Sequence, residues 1–211
     1  DRITNANDIT LSLESTHRQN NALLTDNDLL SLKVAQTYYT DDEVVSDTVN
    51  TNYETRRSYS DIAASIDFAL NDYIFNSSLQ FDPDSSKLTK KENKFSYKPS
   101  PRKFISLTFT DKGSETNDKV FGAYPLSKKI HFFGGLDKTT TTTVSKTETT
   151  GLAFESCCWA FRVAHFKEGN ASSGYSYSTG MELVLTGLGS TSSPLKGRIE
   201  GNIPGYKANL R

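Results

Sequence analysis

Residues that usually carry catalysis or metal binding are scarce in this chain of 211: two Cys, three His, one Met and one Trp. Excess charge is missing too. The 24 Lys and Arg stand against 25 Asp and Glu, which excludes nucleic-acid binding driven by bulk positive charge. No run approaches the ~18 consecutive apolar residues of a membrane-spanning helix. No basic segment followed by an apolar one opens the chain, so no secretory leader is expected there, and the start at Asp1 reads as the middle of something longer. Ala-Leu-Glu-Lys blocks and i, i+3, i+4, i+7 apolar stripes are absent, which disfavours amphipathic helices. A mean hydropathy of −0.53 would ordinarily argue against a membrane protein. That argument fails for β-barrels, whose strands alternate lipid-facing apolar with lumen-facing polar residues.

What the sequence does have is period-2 alternation from end to end. Ile9, Leu11 and Leu13 share a face, as do Leu30, Leu32 and Val34, then Ile62, Ala64, Ile66 and Phe68. The same rhythm returns in Phe75, Leu79 and Phe81, in Phe95 and Tyr97, in Ile105, Leu107 and Phe109, and in Phe121 and Ala123. It continues through Ile130 and Phe132, Leu152 and Phe154, Trp159, Phe161 and Val163, and Met181, Leu183 and Leu185. The count predicts about eleven strands of roughly ten residues, each with one apolar face. Tight links at 70–72, 98–102, 125–129 and 156–159 alternate with longer polar loops at 41–57, 83–92, 111–118, 138–144 and 168–177; the first link, 19–28, is intermediate. Such sorting of short turns from long loops is expected of an outer-membrane meander, with the short turns periplasmic. The fold expected is therefore all-β: an antiparallel, up-and-down transmembrane β-barrel segment over residues 1–188. Residues 189–211, rich in Gly and Pro, are expected to trail as a periplasmic tail that cannot form a strand. Eleven is an odd count, and an open fragment would leave two unpaired edges in lipid, so further N-terminal strands are expected.

Cys157 and Cys158 are adjacent. Consecutive Cα atoms sit ~3.8 Å apart, whereas a disulfide wants ~4.4–6.8 Å. The two cannot bridge without strain, and the chain holds no third cysteine. Either they stay thiols, or they bind something, or their partners lie outside this chain. No His/Cys cluster at ligand spacing accompanies them, which disfavours a metal.

The stretches "GLAFESCCWAFRVAHF" (151–166), "GMELVLTGLGS" (180–190) and "GNIPGY" (201–206) resemble the C-terminal end of the LptD family of LPS-assembly proteins. Upstream, "DRITNANDITLSL" (1–13), "RSYSDIAASIDFALNDYIFNSSLQFDP" (57–83) and "YKPSPRKFISLTF" (97–109) fit the same family in the same order. The resemblance implies a barrel of roughly 26 strands in the outer membrane, preceded by a periplasmic jellyroll and plugged by the lipoprotein LptE. It implies receipt of lipopolysaccharide from the periplasmic bridge protein LptA, and release into the outer leaflet through a lateral opening between first and last strands. On the same basis Cys157 and Cys158 would form disulfides to the N-terminal remainder of the protein. Ser178, Gly180, Leu183 and Leu185 would carry the last-strand signal read by the barrel-assembly machinery, on the strand that forms one lip of the gate.

Blander readings stand beside these. Lys87, Lys90, Lys91 and Lys94 form a basic cluster that suits phosphates of lipopolysaccharide, or equally a solvated loop. Asp61, Asp67, Arg162 and Glu182 are expected to line a wet lumen. Tyr38, Tyr39, Phe81, Tyr97, Tyr124 and Phe166 fit aromatic girdles. His17, His131 and His165 fall in separate strands, and no phosphate loop or catalytic motif appears, so neither an enzyme nor a cofactor is expected. The alternatives are an unrelated porin- or receptor-type barrel and a soluble all-β carbohydrate-binding module.

Overall fold

The computed structural model describes residues 8–18, 28–46, 54–185 and 194–208. Among them are twelve strands and one helix. The first six strands are β1 (Asp8–Arg18), β2 (Asp28–Ser46), β3 (Glu54–Tyr59), β4 (Ile62–Leu70), β5 (Tyr73–Asp82) and β6 (Lys87–Ser100). Then come β7 (Lys103–Asp111), β8 (Thr116–Pro125), β9 (Ile130–Thr140), β10 (Val144–Glu155), β11 (Trp159–Asn170), β12 (Gly174–Leu185) and helix α1 (Pro194–Asn202). Sheet order follows chain order, an antiparallel meander, except that β3 lies off the path and pairs only with β2. The additional strand falls where a loop over 41–57 is expected: β2 runs on to Ser46 and β3 pairs back through Val45↔Thr55.

The chain divides into two compact units. In the first (1–69 with 76–92), Leu13 pairs with Val34 and Ile9 with Tyr38, while Leu32 pairs with Ile66. Cross-strand partners share a face, so these rows build one apolar surface. That surface is uncovered: Leu13 is 76% exposed. Of the link 19–28, residues 19–27 lie outside the described residues.

The second unit (70–75 with 93–211) holds the buried core. Its two faces follow from register. One carries the rows Tyr124–Phe132–Leu152–Val163–Met181 and Phe154–Phe161–Leu183. The other carries Phe104–Ala123–Phe133–Gly151–Ala164–Gly180 and His131–Ala153–Arg162–Glu182. Large apolar residues of the first face stand exposed, Met181 at 72%, while Arg162 on the second is fully buried.

Burial on the second face comes from α1. Within the stretch 189–211, the described residues 194–208 form no strand and pack over β9–β12. Pro194 opens the helix at the position where its missing N–H is harmless, and Lys196 reaches Glu200 one turn on, at 3.8 Å. Gly197 and Gly201 each weaken an isolated helix by about 1 kcal/mol, so packing must hold it. Ile199 and Ile203 are fully buried, each contributing roughly 1.5–3 kcal/mol.

The links also differ from expectation. Those predicted to be long shrink to residues 83–86, 112–115, 141–143 and 171–173, longer than the tight links 71–72 and 101–102 but within the span of lengths set by 126–129 and 156–158. Thr- and Lys-rich segments such as Lys138–Thr140 and Val144–Lys146 continue the ladder, because a strand wetted on both faces needs only backbone pairing and β-tolerant side chains.

Candidate functional site

The helix-covered face of β9–β12 and the β10–β11 turn beside it gather most of the distinctive chemistry. The sheet admits a helix there because its residues are small. A Cβ on Gly180 would lie 2.7 Å from Leu195 Cδ1, and one on Gly135 would lie 3.1 Å from Ile203 Cγ1. Gly151 is more confined still, since a Cβ would fall 2.3 Å from the Val163 carbonyl and 2.5 Å from the Phe133 ring. Arg198 of α1 ties the last two strands together. Its guanidinium donates to Glu168 Oε1 at 2.9 Å and to Ser178 Oγ at 3.2 Å, and it lies 3.8 Å from the centre of the Phe166 ring. Asn202 donates to Thr149 Oγ1 at 3.0 Å.

Towards the turn end lies a charged network. Arg162 Nη1 donates to Glu182 at 2.9 Å, and Arg162 Nη2 sits 3.5 Å from Glu155. Arg102 approaches the same Glu155 at 3.5 Å. An arginine between two carboxylates offsets part of the large desolvation cost of burying either sign alone. Next to it, His131 Nε2 and the Tyr206 hydroxyl are 2.5 Å apart, and Phe133 packs on the Tyr206 ring. Burial pushes the Tyr206 hydroxyl well above its usual pKa, with Glu155 adding to the effect. Tyr206 therefore stays neutral and keeps its proton for hydrogen bonding.

Cys157 and Cys158 occupy the exposed β10–β11 turn as thiols. The turn is closed by the Ser156 N–H donating to the Trp159 carbonyl at 2.9 Å, and it is walled by Trp159 stacked on Phe154. The sulfurs are 2.8 Å apart. The Cys158 thiol and then Ser156 hydrogen-bond to Cys157 and lower its pKa, with Lys129 adding a smaller pull. Cys158 is raised by the same contact.

The other predicted site residues scatter. Ser178 and Gly180 point to α1, while Leu183 and Leu185 stand exposed on the opposite face. Arg162 and Glu182 share the covered face, Arg162 with no exposure to solvent. Lys87, Lys90, Lys91 and Lys94 lie on strand β6 and not in a loop; strand alternation sends Lys87 and Lys91 to one face and Lys90 and Lys94 to the other. Lys90 is 3.8 Å from Glu92. Phe166 belongs to no girdle, being 1% exposed beneath Arg198. Among the described residues no group of three or more His, Cys, Asp or Glu is placed to hold a metal ion. Alternation along the strands could not reveal the role of α1 or the His131–Tyr206 contact. The only signals were Pro194 at a helix start and the i, i+4 pair Lys196–Glu200.

Comparison with known proteins agrees with this architecture. A family model described as LptD, LPS transport system D, matches residues 1–139, ending within β9 and before the cysteines. The LPS-assembly protein LptD of Shewanella frigidimarina is 29% identical over 178 residues, covering 78% of this chain and 22% of that protein. Its counterpart in Shewanella sp. strain MR-4 is 27% identical over 181 residues with the same coverage. The LptD of Cupriavidus pinatubonensis is 23% identical over 145 residues, covering 64% of this chain and 18% of that protein. The chain thus spans about a fifth of the length of the curated relatives it matches. With the family model covering well over half of the residues, and an antiparallel meander whose apolar face is uncovered and whose charged face is buried, the chain belongs to the LptD family.

Proposed function

We propose that this chain is a stretch of wall from an outer-membrane β-barrel that delivers lipopolysaccharide to the outer leaflet. The observation carrying the reading is the inverted burial. Leu13, Met181, Leu183 and Phe132 are exposed, while Arg162, Glu155 and His131 are enclosed. In water that arrangement would leave the apolar rows unpaired with anything; in a bilayer they face hydrocarbon and the charges face a lumen. Transport follows from the family, and among the described residues no constellation supports catalysis.

The finer parts of the reading are these. The β10–β11 turn is periplasmic, and its thiols pair with cysteines elsewhere in the full-length protein, since exposed thiols do not persist in an oxidising compartment. The strand β12 is one lip of a lateral opening and carries the assembly signal at Ser178, Gly180, Leu183 and Leu185. The lumen is plugged by LptE, LptA supplies lipopolysaccharide, and of Lys87, Lys90, Lys91 and Lys94 the pair on one face of β6 contacts its phosphates.

The test uses the full-length protein. Its depletion should stop newly made lipopolysaccharide from reaching the cell surface, and unchanged surface delivery would refute the transport reading. The membrane-wall reading is tested separately: the protein should fractionate with membranes and need detergent to stay monodisperse. Non-reducing mass spectrometry should find Cys157 and Cys158 in disulfides, and two thiols there would end the clasp reading.

A further inference from the structure

One sizeable cavity does not lie under α1. It is a groove of about 890 Å³ on the exposed face of the second unit, crossing β7 to β11. Its floor follows the row Ile105–Gly122–Gly134–Thr150, and Tyr124 and Phe132 wall one side while Val120 and Leu136 wall the other. The volume is within the range of built small-molecule sites. Ladder hydrogen bonds already satisfy the backbone beneath it, so water entering would find few partners.

Neither backbone nor packing demands glycine at Gly134. Its φ is not among the positive ones, and an added Cβ would meet nothing closer than the Phe132 ring at 3.5 Å. A glycine inside a strand weakens it and marks a close approach by something else.

The two ends of the groove differ in charge. At the loop end Lys167 is already engaged, 3.6 Å from Glu148 and 4.7 Å from the centre of the Tyr175 ring. At the turn end Lys103 is exposed beside Tyr97 and makes no ion pair among the described residues. A ligand that fits must therefore be apolar along the floor and anionic at the turn end. Resting on the membrane-wall reading, we propose that the groove holds the acyl chains of an anionic phospholipid from the turn-side leaflet, with its phosphate at Lys103. The bound lipid would be a fixed part of the wall, distinct from the lipid in transit.

The experiment is native mass spectrometry of the full-length protein in detergent, titrated with phosphatidylglycerol or phosphatidylcholine. One phosphatidylglycerol should be retained in preference to phosphatidylcholine. Gly134→Leu, which fills the floor, should reduce retention of both lipids by about tenfold or more, the scale of one lost charged hydrogen bond or its apolar equivalent. Lys103→Glu should abolish the preference while leaving phosphatidylcholine bound. Should Gly134→Leu fail to assemble, Thr150→Leu blocks the same floor from β10. Unchanged retention in the floor variants overturns the proposal. So does loss of the preference through Lys167→Glu with Lys103→Glu neutral, which would place the headgroup at the other end. Displacement of phosphatidylglycerol by equimolar lipopolysaccharide would reassign the groove to the transported lipid. A protein that fractionates with membranes yet fails these titrations refutes only this inference; one that never enters membranes refutes the wall reading beneath it.

Discussion

At the scale of single residues, the face under α1 is controlled by a few groups whose neighbours allow no substitute. Arg162 stands between Glu155 and Glu182 with no exposure to solvent. Arg162→Met removes the guanidinium between Glu155 and Glu182 and should cost about 3–5 kcal/mol, read as a lower denaturant midpoint of the folded protein. Adding Glu182→Gln should recover part of the loss, and a double variant as unstable as the single one would deny the coupling. Tyr206 offers a pH readout. Its folded pKa is raised, so the stability it contributes is present in full below the unfolded value of about 10 and is lost as pH climbs towards the folded value. Urea midpoints should fall more steeply above pH ~10 for the native protein than for Tyr206→Phe; parallel profiles would show that Tyr206 does not titrate this way. In the turn, Cys157 should alkylate faster than Cys158 at neutral pH once disulfides are reduced, and Ser156→Ala should narrow the difference, both followed by peptide mass spectrometry. Equal rates would remove the asymmetry that the hydrogen bonds imply.

Elements stand or fall together through contacts that no single segment contains. Helix α1 carries two glycines and would not persist in water by itself; Leu195 on Gly180, Ile203 on Gly135 and Arg198 across Glu168 and Ser178 hold it to the sheet. The glycines beneath it differ in what they tolerate. At Gly180 a methyl meets the end of a flexible leucine, whereas at Gly151 it meets a carbonyl oxygen at 2.3 Å. Gly180→Ala should therefore cost little, roughly within 1 kcal/mol, and be rescued by Leu195→Ala, while Gly151→Ala should cost more, typically 1–3 kcal/mol for overpacking, without such rescue. A double-mutant cycle on the denaturant midpoint measures both, and equal coupling of Leu195 to the two positions would contradict this packing.

Beyond single elements, the governing feature is an uncovered apolar sheet face, opposite which Arg162, Glu155 and His131 are enclosed beside the core under α1. Single cysteines at Leu13, Phe132 or Met181, in a protein with its own cysteines replaced, should resist water-soluble maleimides in intact membranes and react after denaturation. Rapid labelling in membranes would mean that the face is wetted. Much of this was legible beforehand. The pairs Leu152–Phe154 and Leu183–Leu185 announce their exposed face by spacing alone, because a pleated strand turns alternate side chains to opposite sides. Arg162 and Glu182 were placed on the other face by the same rule. Less was legible where the polar segments begin. Lys87 to Lys94 reads as loop because it is charged, yet it pairs as strand, since the backbone ladder asks nothing of side chains that both point to water.

The chain's own order of residues determined the strand count to within one, the meander and the identity of each face, since all of these rest on local period-2 patterning and short links. Tertiary structure alone decided what covers the charged face. Residues 194–202 carry no strong helical pattern, and they are held as a helix where Gly135 and Gly180, on two different strands, leave room for Ile203 and Leu195. The charged network likewise exists only through register, which sets Arg162 opposite Glu182, twenty residues away along the chain. Such contacts depend on distances between strands, and no spacing within a single strand encodes them.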